Sequence, residues 1–156
     1  MIKFCKYIGL PNNEIAEIIK YELGGAYNKD NPVCTIKISS VEIVSNLKEK
    51  GISSRKSGKE IPYICSTPEL EKAYIRGLVD GDGYLRNTEF GFGVVGSESI
   101  CKYIKDFLNN NVVDTTTNSI LEHGAIKKFQ IGGRIKSSKI IHYLYNNANV
   151  YLDRKY

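Results

Sequence analysis

Apolar residues between Leu70 and Gly83 recur at helical spacing, with Ile75, Leu78 and Val79 sharing one face. Ahead of them Ser66 or Thr67 offers a hydroxyl cap, Pro68 suits a first turn, and Glu69 places an acid at the positive pole. A helix over 70–83, starting from this cap, is therefore predicted. The next stretch, "YLRNTEFGFGVV" from Tyr84, reads as strands, and "CKYI" at Cys101 sits in a helix that Ser97 or Ser99 can cap. "KKFQIGG" from Lys127 reads as a strand ending in glycines, followed by a helix starting near Ser137 and Ser138. In the front part "VCTIKIS" from Val33 is a strand and a helix begins near Ser39 and Ser40. Residues 15–23, "IAEIIKYEL", have helical propensity but should be partly extended by the repeat that follows, so both readings stay open.

The repeat is internal. "CKYI" occurs at Cys5 and again at Cys101, an offset of 96. Ser40 corresponds to Ser137, Ile43 to Ile140, Val44 to Ile141 and Leu47 to Leu144, all at an offset of 97. Arg55-Lys56 and Arg154-Lys155 correspond at 99. Upstream of the second CKYI lie the predicted helix and two strands, whereas the first CKYI has no counterpart to them. Three parts are expected: a truncated first half unit over 1–60, an exposed Ser- and Pro-containing connector over 61–69, and a complete unit over 70–156.

Composition narrows the classes. The chain has 156 residues, 42% hydrophobic and 25% charged, which fits a folded α+β protein rather than a disordered one. No stretch resembles a membrane span, and "MIKFCKYIGLPNNE" lacks the layout of a signal peptide, so a cytoplasmic location is expected, with an organellar matrix or a phage-infected cell as equivalents. Four separated cysteines and two histidines (His123, His142) disfavour a structural zinc site. The net charge is +5, and the segment from Leu121 onward, with seven basic residues against two acidic ones, alone carries +5. A polyanionic partner is compatible with that distribution.

Two features of the first helix call for chemistry. Ala73, Gly77 and Gly81 fall at i, i+4 and i+8, a stripe that lets a second helix approach closely, although glycine inside a helix costs nearly 1 kcal/mol relative to alanine. Asp80 and Asp82 then sit at the negative end of the helix dipole, where carboxylates are disfavoured unless a cation offsets them. Acids from two such helix ends, packed side by side, could hold hard divalent ions such as Mg2+ and support phosphodiester hydrolysis. The plain alternative is a helix stop, with Gly83 as a left-handed cap and the aspartates as turn formers.

The stretch "IRGLVDGDG", Ile75 to Gly83, resembles the nine-residue signature of the LAGLIDADG homing endonuclease family, keeping its glycine, leucine, both aspartates and final glycine. Ile75 and Val79 are conservative replacements; Arg76 in place of a small residue is the clearest departure and lies off the small-residue stripe. The resemblance implies an αββαββα unit with a saddle-shaped antiparallel sheet over 70–156, preceded by the back half of a second unit. It also implies a site-specific, metal-dependent double-stranded DNA endonuclease of the intron- or intein-borne, mobile kind. On that resemblance Asp82 is the catalytic metal ligand with the Gly81 carbonyl nearby, while Asp80 is a structural group. Lys136, or Arg134, is the catalytic lysine candidate, with Lys37 as its counterpart in the first copy. Tyr84, Arg86 and Thr88 on one strand and Glu89 with Gly91 and Gly93 on the next would face DNA, joined by Lys127, Lys128, Gln130 and Arg134. The expected cofactor is Mg2+ or another divalent cation. The expected partners are double-stranded DNA and a second signature helix, from a homodimer through the 70–83 helix or from a separate chain. The alternative function is a non-cleaving relative that binds DNA or intron RNA.

Overall fold

The computed structural model describes residues 20–23, 32–35, 40–52, 58–86 and 91–152. The chain divides into two compact units, 1–42 and 43–156. In the first, β1 (Lys20–Leu23) pairs antiparallel with β2 (Pro32–Thr35), Tyr21 opposite Cys34. Of the ambiguous 15–23 stretch, the described residues are thus extended: cross-strand pairing overrides a weak helical propensity. Helix α1 (Val41–Glu49), which crosses the boundary and lies mostly in the second unit, starts directly after Ser40 and buries none of its residues.

The second unit is α+β. Its order continues α2 (Pro68–Asp82), β3 (Gly83–Arg86), β4 (Gly91–Gly96), α3 (Glu98–Asn111), β5 (Ile120–His123), β6 (Ile126–Ile131) and α4 (Arg134–Tyr145). The four strands form one antiparallel sheet in the order β3-β4-β6-β5. Period-two alternation assigns its faces. Phe92 and Val94 on β4 stand opposite Ile131 and Phe129 on β6, and all four are buried. They form the core with Ile75 and Val79 of α2, Ile100, Cys101, Ile104 and Leu108 of α3, and Ile140 and Leu144 of α4. The other parity, Tyr84, Arg86, Gly91, Gly93, Lys128 and Gln130, shares the opposite face.

The helix starts follow local chemistry. Thr67, not Ser66, caps α2, its Oγ1 accepting from the Leu70 N–H at 3.3 Å, with Pro68 in the first turn. Ser97, not Ser99, caps α3 by accepting from the Ile100 N–H at 3.2 Å. Its hydroxyl also donates to the Glu60 carbonyl at 2.6 Å, which ties the segment ahead of α2 to the start of α3. The Tyr63 N–H donates to the Tyr74 hydroxyl at 3.2 Å, while Ile61 and Ile64 remain exposed. Two expectations are corrected. Helix α4 begins at Arg134 behind Gly133, whose φ is +100°, and not at the serine pair; Ser137 lies buried inside the helix instead. A glycine with positive φ turns the chain out of β6 early, so no hydroxyl cap is used.

Gly83 is the second correction. Its φ of −83° and ψ of 158° are extended, so it is not a left-handed cap. Glycine is required there because the chain passes from helix to strand with no loop: its N–H donates to the Val79 carbonyl, and an added Cβ would stand 2.4 Å from that same oxygen. Since the clashing atom is backbone, Gly83→Ala is expected to destabilise the unit by about 2 kcal/mol, the range of overpacking penalties, measured as a lowered urea midpoint with unchanged slope.

Candidate nucleic-acid interface and acidic helix end

The two signature acids are treated differently by the fold. Asp80 is half-buried and fully engaged: one carboxylate oxygen accepts from the Tyr145 hydroxyl at 2.6 Å and the other from the Leu152 N–H at 3.0 Å. Asp82 is exposed and has no hydrogen bond or ion pair among the described residues. The reason is angular, since two residues on a helix lie about 200° apart around the axis: Asp80 faces α4 and Asp82 faces away. Gly81 lies between them in the last turn, where backbone carbonyls have no donor within the helix.

The small-residue stripe runs up to that exposed acid. Gly77 and Gly81 are exposed, and a Cβ built on either meets nothing within 4 Å. Ala73 continues the stripe, and Leu70, 54% exposed, extends it by one further turn. Arg76, the departure from the signature, has a task on the opposite side. Its Nη1 donates to the Leu144 carbonyl at 2.9 Å and its Nε to the Val150 carbonyl at 3.2 Å. It therefore satisfies carbonyls at and beyond the C-terminal end of α4, where a cation complements the dipole.

On the sheet face opposite the helices, Tyr84 lies across Gly93. A Cβ on Gly93 would meet the Tyr84 ring at 2.3 Å, so the glycine is what lets the ring lie flat on the strand. The Tyr84 hydroxyl donates to Gln130 Oε1 at 3.4 Å, and the Arg86 guanidinium stands 6.0 Å from the ring centroid. Burial pushes the Tyr84 hydroxyl above its usual range, partly countered by Arg86. These groups, with Gly91 and Gly132, line a hollow of about 70 Å³. Lys128, opposite Val95 and Leu121, carries the same face toward β5. Four of the residues named from sequence, Tyr84, Arg86, Lys128 and Gln130, are thus brought together on one surface.

Others are not. Lys127 has the opposite parity and forms an ion pair with Glu122, which raises its pKa. Arg134 and Lys136 belong to α4 rather than to the fourth strand. Lys136 donates from Nζ to the Asp114 carbonyl at 2.9 Å. Arg134 and Arg86 both line a groove of about 460 Å³ together with Leu85, Ser137 and Ile141. Lys37, Thr88 and Glu89 lie outside the described residues, as do the first CKYI and the pairs Arg55-Lys56 and Arg154-Lys155. Sequence reasoning missed Tyr145. Its one signal is a phenol at the end of a core-facing stripe, where a buried hydroxyl requires a partner.

Among the described residues no group of three or more His, Cys, Asp or Glu side chains is placed to hold a metal ion. No helix among them is long and apolar enough to cross a membrane. Compared with known proteins, the chain matches no family model, no curated sequence and no solved structure.

The contrast between the acids has a direct readout. Asp80→Asn is expected to lower stability by about 1–3 kcal/mol, because a hydrogen-bonded carboxylate is replaced within a fixed pair of donors. Asp82→Asn should change it by less than about 0.5 kcal/mol, as for an exposed, unpaired group. Denaturant melts of both variants at neutral pH measure the difference.

Proposed function

We propose that the chain is a site-specific, divalent-metal-dependent endonuclease for double-stranded DNA of the LAGLIDADG kind, active when its signature helix pairs with a second one. The observation that carries this reading is the division of labour at the end of α2. The fold holds Asp80 with two hydrogen bonds, yet leaves Asp82 exposed at the negative pole of the helix, beside an open stripe of small residues. A carboxylate left there without a partner is suited to a cation and a second helix. The element order from α2 to α4, helix, two strands, helix, two strands, helix, also accords with the family unit.

The residues present fit half of a hard-cation site, since Asp82 and the Gly81 carbonyl offer oxygen donors only. A divalent ion bound there supplies water activation and stabilisation of the leaving oxygen. The remaining work belongs to this chain's own groups. Arg86 and Lys128 would neutralise backbone phosphates, while Tyr84 and Gln130 would meet base edges or sugars and set register. A non-cleaving DNA-binding relative is the second reading, favoured by the single acid at the helix end.

Cleavage of a randomised duplex library in Mg2+ decides between them. Specific cuts that fall by at least a hundredfold with Asp82→Asn support the nuclease. Cutting unaffected by Asp82→Asn removes the assignment, and salt-dependent binding without cuts supports the second reading. In either case Arg86→Ala and Lys128→Ala are each expected to reduce the slope of log affinity against log salt by about 1, with little change in sequence preference for Lys128→Ala.

A further inference from the structure

On the helix side of the sheet, away from Tyr84 and Gln130, α2 and the C-terminal ends of α3 and α4 border a cleft of about 300 Å³. Three of its lining side chains can carry positive charge: Lys72 of α2, and Lys139 and His142 of α4. No Asp or Glu is among the described residues that line it. Lys72 is held on the wall, its Nζ 4.8 Å from the centroid of the Tyr143 ring. The Lys139 ammonium and the His142 ring are exposed and make no hydrogen bond or ion pair among the described residues.

Cations beside helix C-termini commonly serve to cap the last carbonyls. Here other donors have taken that role. The Phe107 carbonyl accepts from Asn111 Nδ2 at 2.8 Å, Leu108 from the Val112 and Val113 N–H groups at 2.9 Å, and His142 from the Asn146 N–H at 2.9 Å. Each helix end contributes roughly half a negative charge, and two ammonium groups outweigh the pair. The cleft is therefore a net positive concavity with no counter-charge of its own, and such a shape focuses its field on an anion.

We propose that this cleft binds a small phosphate monoester, with the phosphoryl group between Lys72, Lys139 and His142. The Asn146 carboxamide supplies a neutral donor, and Val112 and Tyr143 form a wall for the organic part. Size separates this ligand from its rivals. The volume is that of the smallest small-molecule sites, about 300 Å³, and exceeds what a lone ion needs. A duplex backbone, in contrast, runs along an extended surface, whereas these groups line one hollow with no strand residue among the described lining.

Ribose 5-phosphate is the probe, titrated into the full-length chain at fixed ionic strength while amide NMR shifts are followed. Saturable shifts confined to 72, 111–112 and 139–146 are expected, with a Kd below about 1 mM. Lys72→Ala and Lys139→Ala should each weaken binding about tenfold, as loss of one charge-assisted hydrogen bond does. Lys139→Ala, at an exposed position, should keep the parent's unfolding midpoint. Lys102→Ala removes the same charge from an exposed site on α3 outside the cleft, and should leave the Kd within a factor of about two. Inorganic phosphate should bind about fivefold more weakly, because it leaves the apolar wall unused. Failure to saturate, equal weakening in all three variants, or inorganic phosphate as tight as the ester overturns the proposal. So do the same shifts produced by a DNA duplex but not by ribose 5-phosphate, which would make the lysines a nucleic-acid contact. Run without divalent metal, the titration is independent of the nuclease reading.

Discussion

Helix α2 is locked to the end of α4 by two charged groups, and the placement of the candidate site depends on that lock. Arg76 donates to carbonyls at Leu144 and Val150, and Asp80 accepts from Tyr145 and from the Leu152 N–H. Next to each of them, Ile75 and Val79 enter the core. Charge-assisted hydrogen bonds are stronger and more directional than apolar contacts, so they fix the rotation of α2 about its axis as well as its position. Once that rotation is fixed, Gly77, Gly81 and Asp82 have to point outward.

The same fixed helix determines how the sheet begins. Gly83 lets β3 leave α2 without a loop, so Tyr84 follows Asp82 by two residues and lands on the outer face of the sheet. The acidic helix end and the basic, aromatic sheet face are therefore covalently adjacent. Gly93 completes the arrangement by giving Tyr84 a flat surface to lie on, with Arg86 and Gln130 on either side of it. Two neighbouring lysines part on the same strand: Lys127 is taken into an ion pair with Glu122, whereas Lys128 lies on the face of Tyr84 and Gln130, because the period of the strand sends them to opposite sides.

The duplicated helices show how packing context decides the fate of one pattern. Ile140 and Leu144 are interior residues because α2 and β4 are present to cover them. Ile43 and Leu47 have the same spacing and chemistry, but they lie at the surface. Apolar spacing marks a face for burial, while burial itself requires a second surface.

The sequence by itself marked the three helices and the strands around Tyr84 and Lys127 in the second unit, narrowed the caps to Ser66 or Thr67 and Ser97 or Ser99, and showed which strand positions share a face, because these depend on spacing and on contacts within a few residues. It also marked Asp80 and Asp82 as misplaced for an isolated helix. Only the tertiary structure supplied the partners of Asp80, since its donors come from residues 65 and 72 positions away, Tyr145 and Leu152. Long-range partners likewise gave Arg76 its purpose and drew Lys136 to the Asp114 carbonyl. Local patterns carry periodicity and capping; the choice of a hydrogen-bond partner across the fold depends on which surfaces meet, and no local pattern contains that.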